Sequence, residues 1–213
     1  RFVRGRSFRA GAGESAAGRG RSGRMDRKRT KKGCERARRR SESTIFVSYM
    51  KRIGILSDTH GTFDDVLREF FDDVDEIWHA GDIGTPELAD RIAAFKPLRA
   101  VHGNSDDGLM HRIYPAFASF RCEGVEVLMT HIGGYPRRYD ARALEKIRAV
   151  RPKLFVAGHS HILRVVYDPV YDLLHVNPGA AGCFGIHKLR TAVRFTVDGD
   201  AMRDMEVGEW PRR

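Results

Sequence analysis

The chain has 213 residues, and its 38 Lys and Arg against 28 Asp and Glu give a formal net charge of +10. This length allows one sizeable domain with an appendage. The three cysteines form no C-x-x-C pair, which argues against a disulfide framework and favours a reducing compartment, so we expect a cytoplasmic protein. No apolar run approaches the length of a membrane span, and no membrane partner is expected.

Excess positive charge is confined to the first 49 residues. They carry 16 Lys and Arg against 4 Asp and Glu, a net charge of +12, whereas residues 50–213 carry 22 against 24, a net charge of −2. The basic segment is rich in Arg, Gly and Ser and poor in large apolar residues. It cannot bury enough surface to offset its conformational entropy, so we expect residues 1–49 to be a disordered extension and residues 50–213 to form the folded domain.

Three origins of the basic extension stay open. It could be a nucleic-acid-binding arm or an Arg- and Ser-rich organelle transit peptide. The chain does not begin with Met, however, and Met50 directly precedes the first predicted strand. We therefore favour a natural start at Met50 with a non-native extension upstream, in which case no nucleic acid partner is expected.

The first half of the domain is predicted to alternate strands and helices. Buried strands are predicted at residues 51–57, 76–79 and 98–102. A near capping box at Thr62 and Asp65 predicts the start of one helix. A second helix is predicted to begin at Thr85-Pro86 and to end before Pro97. This βαβαβ order indicates a parallel sheet, in which functional residues gather at the carboxyl ends of the strands.

The second half of the domain is predicted to be rich in β-structure. A hairpin turn is predicted at Glu123-Gly124, and a helix at residues 140–150. Strands are predicted at residues 116–122, 125–131, 153–157, 163–167, 173–176, 191–197 and 201–207. An α/β half followed by a β-rich half indicates two sheets packed face to face with helices outside.

Five short clusters of metal-binding side chains occur in order along the chain. They are Asp58-Thr59-His60, Gly81-Asp82, Gly103-Asn104-Ser105-Asp106, Thr130-His131 and Gly158-His159-Ser160-His161. The donors proposed from them are two carboxylates, one carboxamide and four imidazoles, with no thiolate. This mixture suits a pair of divalent ions such as Mn, Fe, Ni or Zn. Two such ions side by side can produce hydroxide at neutral pH and hold a phosphate ester.

The ordered motifs D-x-H, G-D, G-N-x-D, H and G-H-x-H resemble those of the calcineurin-like metallophosphoesterase superfamily, and more narrowly its small, single-domain phosphodiesterases of bacteria and archaea. The resemblance covers residues 51–207. It implies an α/β fold, a four-layer αββα sandwich of two packed mixed β-sheets flanked by helices, with a di-metal site on one rim. The implied ligands are Asp58, His60 and His161 for one ion, Asn104, His131 and His159 for the other, and Asp82 as a bridge.

The resemblance implies a metal-dependent phosphoesterase, in particular a phosphodiesterase whose nucleophile is a metal-bound hydroxide. The expected partner is a small phosphate ester, and assembly into a homo-oligomer stays open. Many superfamily members carry a His after the Gly-Asn pair that protonates the leaving group, whereas this chain has Ser105. Serine cannot donate a proton near neutral pH as imidazole does, and Asp106 is a weak candidate unless its pKa is raised. The general acid is therefore unknown from the sequence.

Two alternatives to a small-molecule phosphodiesterase stay open. One is a non-catalytic or weakly catalytic scaffold, because the superfamily includes a retromer subunit that uses this fold as an interaction module. The other is a nuclease, which would require the basic extension to be native. Intact donors at all seven metal positions favour catalysis.

Several further residues are interpreted as structural. His79 and His102, each just before a donor cluster, are expected to lie in the core or to orient a ligand. Surface or loop positions are predicted for His111, His175, His187, Arg137 and Arg138. The two arginines could alternatively bind the substrate phosphate. A turn at residues 177–179 is interpreted as structural.

Overall fold

The computed structural model describes residues 2–4 and 50–212. Within this part of the chain lie thirteen strands and four helices. The strands are β1 (Phe2–Arg4), β2 (Lys51–Leu56), β3 (Glu76–His79), β4 (Leu98–Ala100), β5 (Phe117–Cys122), β6 (Val125–Thr130), β7 (Gly134–Tyr135), β8 (Arg138–Tyr139), β9 (Leu154–Ala157), β10 (Leu163–Asp168), β11 (Leu173–Pro178), β12 (Leu189–Asp198) and β13 (Ala201–Pro211). The helices are α1 (Asp65–Phe70), α2 (Pro86–Phe95), α3 (Met110–Ile113) and α4 (Ala141–Val150).

Most of the strands belong to two mixed sheets. The first has the order β1-β13-β12-β2-β3-β4, in which β2, β3 and β4 are parallel and the other pairs are antiparallel. The second has the order β10-β11-β9-β6-β5, with β11, β9 and β6 parallel between antiparallel edge strands. Strands β7 and β8 form a separate pair. The parallel β2-β3-β4 unit, connected through α1 and α2, confirms the predicted βαβαβ half.

The core between the two sheets follows from the alternation of side chains along each strand. In β6, Val127 and Met129 belong to the apolar cluster between the sheets, whereas Leu128 belongs to the cluster under α4. Strand β9 repeats the pattern, with Val156 in the inner cluster and Phe155 in the outer one. Both faces of the second sheet are therefore covered, which explains the continuous apolar sequence of β9.

Helices cover the outer face of each sheet. In α1 and α2, Leu67, Phe70 and Ile92 join a buried cluster with residues of the first sheet. In α4, Ala143 and Ile147 join a cluster with residues of the second sheet. Three apolar clusters thus separate four layers, and the predicted αββα sandwich is confirmed.

The helix starts agree with the sequence pattern except in one detail. The N-cap of α1 is Asp64, whose carboxylate accepts a hydrogen bond from Leu67 N at 3.4 Å. Thr62, which was predicted to begin this helix, instead accepts a hydrogen bond from Cys183 N at 3.4 Å. Asp and Thr both serve as N-caps, so the sequence offers two starts within one turn. Helix α2 begins after Thr85, as predicted.

Four short elements have no counterpart among the predicted ones, namely α3, β1 and the paired strands β7 and β8. Helix α3 has four residues, and β1 pairs with β13 in antiparallel orientation. Apart from β1, the predicted disordered extension at residues 1–49 lies outside the described residues. No helix in the described part of the chain has the length and apolar character needed to cross a bilayer.

Candidate metal centre

The predicted donors gather at one edge of the fold, where strands of both sheets end. Asp58 and His60 follow β2, Asp82 follows β3, Asn104 follows β4, His131 follows β6, and His159 and His161 follow β9. All of these strands except the short β4 are flanked on both sides, so their ends are fixed by the sheets. The common edge explains why clusters far apart in sequence meet in space.

Five of the seven donors have a left-handed backbone conformation. The angle φ is +55° at Asp58, +44° at His60, +54° at Asp82, +66° at His159 and +57° at His161. Such angles are unfavourable for residues other than Gly, and enforcing one costs on the order of 1–3 kcal/mol. Strain of this kind clusters at functional sites, and here it coincides with the donor positions.

Backbone hydrogen bonds between loops maintain this strained geometry. The amide of Asp58 donates to Gly81 O at 2.9 Å, and the amide of His60 donates to Asp82 O at 3.1 Å. From the other side, the amide of Gly182 donates to Asp58 O at 3.0 Å. The loop that carries Asp58 and His60 is therefore held between two other loops.

Gly103 allows the loop that carries Asn104 to approach Asp82. A Cβ atom at Gly103 would lie 2.0 Å from Asp82 Oδ1 and 2.3 Å from Asp82 N, which is closer than atoms can approach. Because Gly103 has no Cβ atom, the loop comes close enough for the amide of Ser105 to donate to Asp82 Oδ1 at 2.8 Å. One carboxylate oxygen is thereby oriented, and Oδ2 remains directed at the histidines.

The first group of converging donors consists of Asp58, His60 and His161. Oδ1 of Asp58 lies 3.1 Å from Nε2 of His161. This oxygen is buried, yet it has no hydrogen-bond partner among the described residues. A carboxylate oxygen and an imidazole lone pair that face one another repel unless a cation lies between them. The residues present therefore fit a bound metal ion.

The second group consists of Asp58, Asp82 and His131. Nδ1 of His131 donates its proton to Ala80 O at 2.7 Å, so Nε2 directs its lone pair into the site. Nε2 lies 3.4 Å from Asp82 Oδ2 and 3.1 Å from Asn104 Oδ1. Both of these oxygens are acceptors, so this group also consists of lone pairs that converge on a position suited to a cation.

The pKa values reflect the same preference for positive charge. Burial acts to lower the pKa of His131, but the hydrogen bond to Asp82 that the protonated ring makes and the charges of Asp58 and Asp82 raise the pKa above its ordinary value. Burial acts to raise the pKa of Asp82, but its contacts with His131 and the amide of Ser105 bring it well below its ordinary value. The site thus favours a positive charge beside the ionised Asp82 carboxylate.

Both carboxylates reach histidines of both predicted ion sites. Oδ2 of Asp82 lies 3.9 Å from His60 Nε2 in addition to its contact with His131. Oδ1 of Asp58 lies 3.9 Å from His131 Nε2 in addition to its contact with His161. The position of Asp82 suits the bridging role predicted for it. Asp58 likewise lies between histidines of the two predicted ion sites, and it is closer to His161 than to His131.

His159 lies at the margin of the site. Its ring centroid is 5.2 Å from that of His131, and its backbone amide donates to Asp58 Oδ2 at 3.1 Å. Its imidazole, however, belongs to neither converging group. The ligand role of His159 stays a prediction.

His79 is buried and hydrogen-bonded to two of the donor loops, as expected for a core histidine. Nδ1 accepts a hydrogen bond from Gly81 N at 3.2 Å, so Nε2 carries the proton and donates to Thr59 Oγ1 at 2.8 Å. The Thr59 hydroxyl donates in turn to Ile83 O at 3.0 Å. Burial lowers the pKa of His79 to about 4. The neutral imidazole therefore ties the Asp58 loop to the Asp82 loop.

Asp106 holds the backbone together and is unsuited to be the missing general acid. Its two carboxylate oxygens accept hydrogen bonds from Gly84 N and Gly103 N, each at 2.8 Å. Both carboxylate oxygens are therefore engaged in holding the backbone of two loops, and neither is left to act on a leaving group. Ser105 contributes its amide to Asp82, and its hydroxyl lies 3.4 Å from Asn104 Nδ2.

One of the remaining histidine predictions is wrong, whereas the surface position predicted for His111 is confirmed. His175 was predicted at the surface or in a loop, but it is buried in β11. Strand β11 lies inside the second sheet, and the rings of Phe155 and Tyr139 cover that position. His111 belongs to helix α3 and stacks on His102, with ring centroids 3.9 Å apart. The predicted exposed positions of Arg137 and Arg138 are confirmed.

Two residues support the site through contacts that sequence reasoning missed or left unassigned. Asn177 donates to Gly158 O at 2.7 Å and thereby fixes the loop that carries His159 and His161. Arg190 is buried and donates to Ala181 O at 2.7 Å. Its guanidinium also forms two hydrogen bonds to the carboxylate of Asp64. Strand β12 also contains Arg194, so the sequence gives no signal that would have identified Arg190.

Comparison with known proteins identifies relatives of this chain. Residues 50–200 match a family model described as the calcineurin-like phosphoesterase superfamily domain. A protein of Methanothermobacter thermautotrophicus named as a probable metallophosphoesterase is 28% identical over 138 residues, which are 60% of this chain and 76% of that protein. A second probable metallophosphoesterase, from Methanocaldococcus jannaschii, is 28% identical over 182 residues, which are 79% of this chain and 83% of that protein.

A solved structure shares the fold at lower sequence identity. Vacuolar Protein Sorting 29 from Cryptosporidium parvum superposes with a TM-score of 0.60 at 16% identity, over 77% of this chain and 100% of that chain. At this identity the likeness concerns the fold alone.

Proposed function

Because the chain belongs to the calcineurin-like phosphoesterase superfamily, we propose that it is a metal-dependent phosphodiesterase that hydrolyses small phosphate esters. The observation that carries the proposal is the buried Asp58 Oδ1, which has no hydrogen-bond partner among the described residues and faces Nε2 of His161 at 3.1 Å. A buried carboxylate oxygen in contact with an imidazole lone pair is costly without a cation. Phosphoester hydrolysis is the chemistry that such a donor set serves in this family.

The proposed ligand sets are those expected from the motifs. Asp58, His60 and His161 would hold one ion, Asn104, His131 and His159 the other, and Asp82 would contact both. Two divalent ions would act as Lewis acids and lower the pKa of a coordinated water toward neutrality. Carboxylate, carboxamide and imidazole donors without thiolate suit Mn, Ni, Fe or Zn.

The residues of the chain have roles that follow from their contacts. Ala80 O holds the tautomer of His131, and Ser105 N holds the orientation of Asp82. The two carboxylates would offset only half the charge of two divalent ions, so the site would attract an anionic ester. The hydroxyl at position 105 is too weak an acid to protonate a leaving alcohol, which favours diesters with acidic leaving groups.

A metal-exchange assay tests the proposal. The protein is stripped with a chelator, reloaded separately with Mn, Ni, Mg or Zn, and assayed on a panel of phosphomonoesters, phosphodiesters and cyclic nucleotides. We expect metal-dependent hydrolysis of nitrophenyl diesters, and its loss in Asp58→Asn. If no ester is hydrolysed while two ions per chain are bound, the proposal is wrong.

A scaffold function is the second candidate, which the shared fold of Vacuolar Protein Sorting 29 leaves open. A scaffold would use the ions to organise the loops at the rim without turning over an ester. Full metal occupancy with thermal stabilisation, and no hydrolysis of any ester in the panel, would favour this function. We propose the cytoplasm as the location in either case, since the sparse cysteines favour a reducing compartment.

A further inference from the structure

A pocket of about 260 Å³ adjoins the candidate metal centre on the side of Asn104 and His131, both of which line it. This volume is below the roughly 300–1,000 Å³ of pockets that enclose drug-sized ligands. The pocket therefore has room for one ring system next to the metal centre, and not for a chain of nucleotides.

Two stacked histidines form one wall of this pocket. The rings of His102 and His111 lie 3.9 Å apart between centroids and are inclined by 28°. His102 Nδ1 and His111 Nε2 lie 3.2 Å and 3.0 Å from the same carbonyl oxygen, that of Gly103. Because a carbonyl only accepts, both nitrogens donate to it. The shared acceptor anchors a flat wall next to Asn104.

A second wall combines an aromatic ring with a cation. Phe117 lines the pocket, and the guanidinium of Arg142 lies over its ring at 5.6 Å from the centroid. Asp140 also lines the pocket, but its Oδ1 accepts the amides of Arg142 and Ala143, which commits it to capping α4. The exposed side chain of Ile132 adds apolar surface on the open side.

We infer that this pocket binds the organic group of the phosphate ester and selects a planar aromatic or heteroaromatic group. The inference rests on the proposed function, because the phosphate must lie at the metal centre for the organic group to reach the pocket. Flat imidazole and phenyl walls favour a planar group by stacking, and the guanidinium of Arg142 favours an aromatic face over a saturated one. Its small volume limits the group to one ring system.

Binding of two phosphonates that cannot be hydrolysed tests the selectivity without turnover. Phenylphosphonate and methylphosphonate carry the same anionic group, so only the organic group differs. Titration calorimetry on the Mn-loaded full chain should give a phenylphosphonate affinity at least about tenfold higher. This ratio agrees with the contribution of stacking on one aromatic side chain, which corresponds to about 5- to 100-fold in affinity.

Three variants connect that preference to the pocket. Phe117→Leu and Arg142→Gln should each reduce the preference to about threefold or less, on the same scale of stacking contributions. Phe120→Leu is the matched control. Phe120 lies on the same strand and also has an arginine over its ring, with Arg99 at 4.6 Å, but it packs against Trp78 and does not line the pocket. Phe120→Leu should keep the preference of the wild type.

A kinetic comparison separates failure of the inference from failure of the proposed function. Methyl phenyl phosphate and methyl hexafluoroisopropyl phosphate have leaving alcohols of similar acidity, so a lower KM for the phenyl ester reports the pocket. Equal affinity for both phosphonates, or a preference unchanged in Phe117→Leu and Arg142→Gln, would overturn the pocket inference while hydrolysis continues. If neither phosphonate binds and no ester is hydrolysed, the proposed function fails and the inference fails with it.

Discussion

Oδ1 of Asp58 lies 3.1 Å from Nε2 of His161, although the two residues follow different strands in different sheets. Asp58 Oδ1 has no hydrogen-bond partner among the described residues, and with the imidazole proton on Nδ1 the facing Nε2 presents a lone pair to it. The contact is therefore unfavourable by itself and becomes favourable when a divalent ion occupies the position. We therefore expect a bound metal ion to stabilise the folded state.

Metal removal should lower the melting temperature. An ion present at about 100 times its Kd stabilises the folded state by about 2.7 kcal/mol, which for a domain of this size corresponds to about 5–10 °C. We expect a shift of this size between chelator-treated and Mn-loaded protein in a thermal scan. Asp58→Asn should lose most of the shift. An equal shift in this variant would mean that the ions bind elsewhere.

Asp82→Asn should impair the enzyme more than Asn104→Ala, because it removes a negative charge that lies close to His60 and to His131. We expect a loss of at least about 100-fold in kcat/KM for Asp82→Asn and about tenfold for Asn104→Ala, since metal charge stabilisation contributes several kcal/mol. Metal analysis should give fewer than two ions per chain for Asp82→Asn. The exposed Asp72→Asn provides the control. Full occupancy with normal turnover would show that Asp82 does not bridge.

Ser105→His should supply the missing general acid. The wild-type rate should depend steeply on the acidity of the leaving group, so that a nitrophenyl diester is cleaved far faster than an alkyl diester. The variant should narrow this gap, because general acid catalysis contributes about 10²–10⁴-fold and helps poor leaving groups most. Rates for a series of diesters check the prediction. If wild type already cleaves alkyl and aryl diesters at similar rates, another residue donates the proton.

His175 should make the stability of the fold depend on pH. Burial and the nearby Arg164 lower its pKa to about 4, whereas an unfolded histidine has a pKa near 6.5. The unfolded state therefore binds the proton more readily, and stability present above pH 6.5 is lost as the pH falls toward 4. Linkage gives a loss of about 2 kcal/mol at pH 5 relative to pH 8.

The variant His175→Leu isolates this contribution. Nδ1 of His175 has no hydrogen-bond partner among the described residues, so an apolar side chain of similar volume leaves no partner unsatisfied there. Urea unfolding of the metal-free protein at pH 5 and pH 8 should show a smaller decrease for the variant than for the wild type. The same pH dependence in both proteins would contradict the prediction.

Deletion of residues 1–49 should leave metal-dependent hydrolysis intact. Every proposed ligand lies within residues 50–212, and β1 is a three-residue edge strand whose neighbour β13 keeps its pairing with β12. Assays of the shortened chain and mass spectrometry of the natural amino terminus check this expectation together. A large loss of activity or of folding would instead support a functional arm.

The donor positions could be predicted because they depend on local pattern. Asp58 and Asp82 each follow an apolar strand directly, and parallel strands present their carboxyl ends at one edge. His175 and Arg190 could not be assigned in this way. Their burial depends on which strands lie beside β11 and β12, and that order is set by pairings between distant segments. Helix α3 was missed because it has four residues, too few for a helical period to be visible.

The backbone bonds of the loop after β11 have a consequence for synthesis of the protein. Ala181 and Gly182 donate to Ser57 O and Asp58 O, and β12 then pairs with β2. The first donor loop therefore cannot reach its final conformation until the ribosome has released the chain beyond β12. Until then β2 lacks its neighbour and presents an unpaired edge, which exposes the nascent chain to aggregation or chaperone binding. The proposed metal centre is thus completed only after β12 has been synthesised.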